Sequence, residues 1–182
     1  MPDATTKSSI AVALVHYPIV NRKGEQSTTA ITSIDIHDFV RTCSMFDVGP
    51  VYMVHPAEGM HALVRDITGY WLEGAGETRN PGRTESIKSL KLAKSIEEVL
   101  ADGDYTPWYS SAMPPTEELT DINKLPEIKG NHLIVFGTGW GLDHSAMPRP
   151  NGWLSPIEGV GMVRHLSVRA ALAIYLDRLT RK

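Results

Sequence analysis

Several short runs carry residues whose types and spacing could do chemistry. Leu133 to Leu142 reads Leu-Ile-Val-Phe-Gly-Thr-Gly-Trp-Gly-Leu, with Gly137, Gly139 and Gly141 at every second position behind an apolar stretch. Bare glycines let the backbone take positive φ and let a ligand approach main-chain N–H and C=O groups closely. Trp140 would add an apolar wall. The same glycines would also serve a tight turn between core elements. His37 stands beside Asp38, with Asp35 a turn earlier, a pairing that invites a general-base reading. Ser110, Ser111 and Ala112 close the run from Tyr105, where small hydroxyl residues either meet a ligand at a strand's carboxyl end or cap the next helix. Leu166 to Arg169 opens the last helical pattern, and free amides there can receive an anionic or carbonyl group. Arg79, Arg83, Lys88, Lys91 and Lys94 form the one sustained basic stretch, either a solvated helix face or a place to meet a phosphate backbone.

The elements that must position these residues follow from hydrophobic periodicity. Ile10–Val15, Val51–Val54, Tyr105–Ser110 and Leu133–Phe136 are short β-rich or apolar runs with the length of strands, the first and last reading as central strands buried on both faces. A helix is predicted from about Ile34 to Phe46, capped by Ser33, with Ile36, Phe39, Val40 and Cys43 as its apolar stripe and Arg41 beside it. Further helices are predicted over Ala57–Thr68, from the Ser95-Ile-Glu-Glu98 capping box to about Leu100, from Thr116 onward, and over His165–Leu179. Tyr17–Thr28 reads as a loop over the end of the first strand. Gly69–Arg83, with its glycines, Pro81 and aromatics, reads as a binding loop or as an Ω-loop packing its own side chains. Trp153–Ile157 reads as a brief extended segment. The alternation of strand and helix predicts an α/β fold built on a parallel sheet.

With 182 residues, 42% of them hydrophobic and 21% charged, the chain has the size and composition of one globular domain. No apolar run approaches the roughly 20 residues that span a bilayer. Met1–Ser9 lacks the pattern of an export signal, and the single cysteine, Cys43, excludes an internal disulfide, so a cytoplasmic setting is expected. The net charge of −3 requires any nucleic-acid contact to be arranged locally. Scattered histidines without helical metal spacing predict no metal site. The glycine loop lacks the Lys-Ser/Thr ending of a P-loop, and too little chain follows it for a dinucleotide-binding unit.

Three motifs in order resemble those of the SPOUT, or α/β-knot, RNA methyltransferases. Asp35-Ile-His-Asp-Phe-Val-Arg41 through Phe46-Asp-Val48 is similar to their first motif, Phe136-Gly-Thr-Gly-Trp-Gly-Leu142 to their second in compressed form, and His165-Leu-Ser167-Val168 with the Ala-rich helix to their third. The resemblance implies helices on both faces of a parallel sheet, a C-terminal deep trefoil knot, a homodimer, and S-adenosylmethionine as methyl donor to tRNA or rRNA. It implies cofactor contacts at Ser110, Ser111 and Ala112; at Phe136, Gly137, Thr138, Gly139, Trp140, Gly141 and Leu142; at Ile157, Glu158 and Gly159; and at His165, Leu166 and Ser167. Arg41 would face the methyl group and the RNA, with Asp38, His37 or Asp35 as base and Arg79, Arg83, Lys88 and Arg169 toward the phosphates. Asp35 and His37 stand where the ribose-methylating branch has Asn and Gly, which leaves a ribose 2′-hydroxyl and a base nitrogen both open as acceptor. A non-catalytic module binding S-adenosylmethionine and RNA, or a methyltransferase acting on another substrate, are the alternatives.

Overall fold

Ile10–Val15 forms β1, the central strand expected of its uninterrupted apolar run. The computed structural model describes residues 9–181, so the reading of Met1–Ser9 as free of an export signal lies, but for Ser9, outside the described residues. A hairpin of two two-residue strands follows, β2 (Ile19–Val20) and β3 (Gln26–Ser27). Then come α1 (Ser33–Met45), β4 (Val51–Val54), α2 (Glu58–Leu72), α3 (Ala75–Arg79), α4 (Pro81–Ile87), β5 (Leu90–Ala93), α5 (Ile96–Gly103) and β6 (Tyr105–Tyr109). The chain ends with β7 (Leu119–Thr120), a 3₁₀ turn (Ile122–Glu127), β8 (Asn131–Gly137), a second 3₁₀ turn (His144–Ala146), β9 (Gly152–Leu154) and α6 (Val168–Thr180).

Seven strands make one sheet in the order β5-β4-β1-β8-β6-β9-β7, and every neighbouring pair is parallel. Period-two alternation divides the core between its faces. Val12, Leu14, Ile134 and Phe136 pack with α1, α6 and the first 3₁₀ turn, whereas Ala11, Ala13, Leu133 and Val135 pack with α5 and with Leu142 and Trp153. Helices therefore cover both faces, and Cys43 is fully buried in the first cluster. Among the described residues no helix is long and apolar enough to cross a membrane.

The structure departs from sequence expectation in five places. Gly69–Arg83 is helical and not a loop: α2 runs on to Leu72, Gly76 lies so close to Trp71 that a Cβ would stand 2.6 Å from its ring, and Asn80 caps α4 with Pro81 at its first turn. Gly and Pro here punctuate successive helices. Thr32, not Ser33, caps α1, because Asp35 at the third helical position returns the contact: Thr32 Oγ1 accepts from Asp35 N at 3.2 Å and donates to Asp35 Oδ2 at 2.6 Å. The helix predicted from Thr116 is instead the edge strand β7 and a 3₁₀ turn interrupted by Pro126; Leu119 pairs with Trp153. The expected loop Tyr17–Thr28 holds the β2–β3 hairpin, and β5 lies inside the basic stretch.

Candidate cofactor and active site

Connections from β1 and β4 run outward toward β5, while the chain leaves β8 in the other direction, toward β9. The C-terminal ends of β1 and β8 are thus a point where topology diverges, the position at which open α/β sheets leave a crevice for ligands. The glycine loop begins there. Thr138 N donates to Val15 O at 3.1 Å, Trp140 N to Val20 O at 3.2 Å, and Val20 N to Gly141 O at 2.9 Å, so the hairpin clasps the loop along one edge. Gly139 (φ +60°) and Gly141 (φ +112°) take the left-handed backbone that favours glycine. At Gly137 the reason is space, since a Cβ would lie 2.8 Å from Leu142 N. Phe136 is buried beneath the loop against Phe39, and Trp140 is 62% exposed at its tip.

The neighbouring strand ends carry the other expected cofactor residues. Ser110 follows β6 and both its N–H and its Oγ donate to Val135 O, each at 3.0 Å; Ser111 Oγ accepts from Met113 N, and Ala112 comes next. Ile157, partly buried against the α1–α6 core, leads with Glu158 and Gly159 out of β9. His165 and Leu166 are exposed, and Ser167 caps α6 by accepting from Ala170 N at 3.3 Å. Because β8, β6 and β9 are adjacent, three of these groups lie at neighbouring C-terminal ends of one sheet, and α6 enters from the segment after β9. S-adenosylmethionine needs an apolar wall and unspent main-chain donors and acceptors. Trp140 offers the first, and Gly139 hydrogen-bonds to none of the described residues, leaving both its N–H and C=O for a ligand.

The first-motif helix is arranged differently from expectation. Asp35 is buried and accepts from Arg169 Nη1 at 3.0 Å, while Asp38 Oδ2 stands 3.3 Å from Arg169 Nε. One guanidinium thus joins α1 to the first turn of α6, with the Arg169 side chain still partly exposed. Arg41 is exposed, on the side of α1 opposite its buried stripe, and no hydrogen bond or ion pair engages it among the described residues. His37 meets Trp71 edge-on at 5.8 Å; burial first and the nearby Arg83 second lower its pKa, against Asp38, which raises it. Arg83 lies over the other aromatic partner, 4.5 Å from the Trp71 ring centre. Arg79 is exposed and unpaired among the described residues, whereas Lys88 is paired with Glu85 at 2.9 Å. Among the described residues no group of three or more His, Cys, Asp or Glu side chains stands together as a metal-ligand set.

Two histidines at the same sheet edge had drawn no attention in the sequence. His16, fully buried just after β1, holds Thr29 Oγ1 at 3.1 Å, and Thr29 Oγ1 lies 2.5 Å from Thr138 Oγ1 in the glycine loop. His55, just after β4, contacts Thr28 Oγ1 at 3.0 Å. The one available signal was their place directly behind apolar strands.

An all-parallel sheet with a glycine loop at its switch point defines the class as a ligand-binding α/β fold. Over residues 9–181 the chain belongs to the SAM-dependent RNA methyltransferase family, whose methyl donor is S-adenosylmethionine. It is 32% identical over 180 residues to an uncharacterized protein of Aquifex aeolicus, covering 94% of this chain and 88% of that one. It is also 30% identical over 174 residues to a tRNA (guanine-N(1)-)-methyltransferase of Oleidesulfovibrio alaskensis, where the match covers 92% of this chain but 41% of the relative. The fold is shared with TrmJ from Z. mobilis (TM-score 0.64, 13% identity, 94% of this chain and 69% of that one). It is shared as well with the TrmH/SpoU tRNA modifying enzyme of A. aeolicus (TM-score 0.55, 15% identity, 96% and 75%).

Proposed function

We propose that this RNA methyltransferase acts on tRNA or rRNA, at a ribose 2′-hydroxyl or a base nitrogen, with the glycine loop as the floor of the cofactor site. The observation that carries the reading is the unspent backbone of Gly139 beside exposed Trp140, at the end of the strand flanked by the Ser110–Ala112 turn. Ile157–Gly159 and His165–Ser167 complete the pocket in this reading. The chain would form a single domain, with the segment between β9 and α6 threaded as a trefoil knot and two copies associating through the α6 side, in the cytoplasm.

Bound S-adenosylmethionine would supply a methyl group carried on a sulfonium sulfur, and the protein's part would be to orient the acceptor and take up its proton. Of the three candidate bases, Asp35 and Asp38 are both engaged by Arg169, which favours His37, kept neutral by burial and by Arg83. Arg41, free and exposed on the same helix, would orient the acceptor or its phosphate. RNA would cross the face made by α1, α3 and α4, where Arg41 and Arg79 are unpaired among the described residues and Arg83 lies over Trp71. Incubation with labelled S-adenosylmethionine and total RNA tests the activity. Arg41→Ala should lower turnover by about tenfold or more while cofactor affinity stays within about twofold, the pattern of a group that orients the acceptor. Equal turnover would remove Arg41 from the mechanism, and label in protein or metabolites alone would remove RNA.

A further inference from the structure

Each hydrogen of the threonine–histidine network has one placement that satisfies every contact. Thr138 Oγ1 lies 3.1 Å from the carbonyl of Val15, which can only accept, so the Thr138 hydroxyl donates there. Its 2.5 Å contact with Thr29 must then be donated by Thr29. With the Thr29 proton spent, the 3.1 Å contact to His16 Nδ1 must be donated by the imidazole. The opposite order would set two oxygen lone pairs against each other at Val15 and would leave an N–H at His16 Nε2, a buried atom without a hydrogen-bond partner among the described residues. Nε2 lacks a partner in either order, so the Val15 carbonyl, which can only accept, decides for the first. His55 runs the other way. Its Nδ1 accepts from Ala57 N at 2.9 Å, so Nε2 carries the proton and donates to Thr28 Oγ1, which donates to the His16 carbonyl at 3.2 Å.

We propose that His16 is a positioning residue for methyl transfer: as an Nδ1–H donor it orders the Thr29–Thr138 hydroxyl chain and thereby holds the glycine loop in its ligand-receiving form. The proposal rests on reading that loop as the cofactor floor. His16 touches no reacting atom and acts through Thr29. It must be neutral to do so without leaving a second buried N–H unpaired. Burial lowers its pKa to about 4, helped by neighbouring His55 and opposed by Asp35 and by the backbone of Ala30.

Nitrogen-15 spectra of the histidine rings in the free, unmodified protein read the tautomer directly. His16 should show a protonated Nδ1 and bare Nε2, and His55 the reverse; a protonated Nε2 on neutral His16 would overturn the proposal. Amide exchange at Trp140 and Gly141 reads the loop itself. Thr29→Val should speed that exchange by about tenfold and weaken S-adenosylmethionine binding by a similar factor, the loss of roughly one hydrogen bond's worth of order, and Thr29→Ser should restore both. Unchanged exchange in Thr29→Val, or failure of Thr29→Ser to restore it, would overturn the proposal. If the unmodified protein bound no S-adenosylmethionine, the cofactor reading would fall, while the tautomer and the exchange rates would still decide the role of His16.

Discussion

The ends of β1 and β8 and the stretch from Glu158 to Leu166 are two walls of one proposed site, and they are built in opposite ways. At the first, His16 has no exposed surface, the hairpin clasps the glycine loop through backbone bonds, and side chains from three separate segments close the hydrogen-bond network. At the second, Val160 and Met162 are fully exposed and Val163 is 71% exposed, with Arg164 Nη1 to Gly159 O at 3.0 Å as a local tie. One wall is finished by the chain's own folding. The other presents apolar side chains to water and gains from whatever covers them. Alterations at the first wall should therefore cost stability, and alterations at the second should cost association or binding instead.

The largest effect should come from pH. His16 titrates at about 4 in the folded protein against an ordinary value of 6.5, so between those values the unfolded chain binds more protons and stability falls as pH falls. The loss should reach about 3 kcal/mol by pH 4 and level off below it. Denaturant titrations at a series of pH values check this. A profile flat from pH 6.5 to 4 would show that the first wall is looser than the geometry states.

Gly137→Ala comes next. The new Cβ would meet Leu142 N at 2.8 Å and Leu142 Cγ at 2.9 Å, and the backbone atom cannot swing away as a side chain would. Overpacking of this kind costs about 1–3 kcal/mol. Cofactor affinity should drop more than the melting temperature implies, because the loop opens at its root. Asp35→Ala tests the tie between α1 and α6: Asp35 is 134 residues from Arg169 in sequence, and losing this charge-assisted bond to a buried carboxylate should cost about 2 kcal/mol. Asp38 would keep part of the contact, so Asp38→Ala alone, at a half-exposed position, should cost less.

How much of this was legible in the residues depended on how far apart the partners lie. Ile10–Val15 and Val51–Val54 appear as strands to the residue, because an uninterrupted short apolar run is satisfied by burial between two helical layers. The β5 strand was hidden because Lys91 sits among basic neighbours, and its partner Asp102, at 2.6 Å, is supplied by α5. The hairpin's task was equally hidden: Gln26 reaches Asp143 and Thr29 reaches Thr138 across more than a hundred residues. For the site, the glycine spacing pointed to the loop and the adjacent strand ends. That Asp35 and Asp38 would share Arg169 was not visible, since an acid near a histidine reads the same whether it serves as a base or holds an ion pair.

The smallest effect on stability, and the sharpest test of the contrast, lies at the second wall. Met162→Asp replaces a fully exposed apolar side chain by a charged one and disturbs no packed neighbour, so unfolding free energy should change by no more than about 0.5 kcal/mol. If a second copy covers this segment, the charge is buried in the dimer and opposed there, so sedimentation should show a shift toward monomer while the circular dichroism melt of the dilute protein stays in place. If the cofactor alone covers it, mass stays unchanged and S-adenosylmethionine affinity falls. A large loss of stability in the monomer would mean that Met162 is packed within its own chain, and the division between a self-finished wall and an externally finished one would fail.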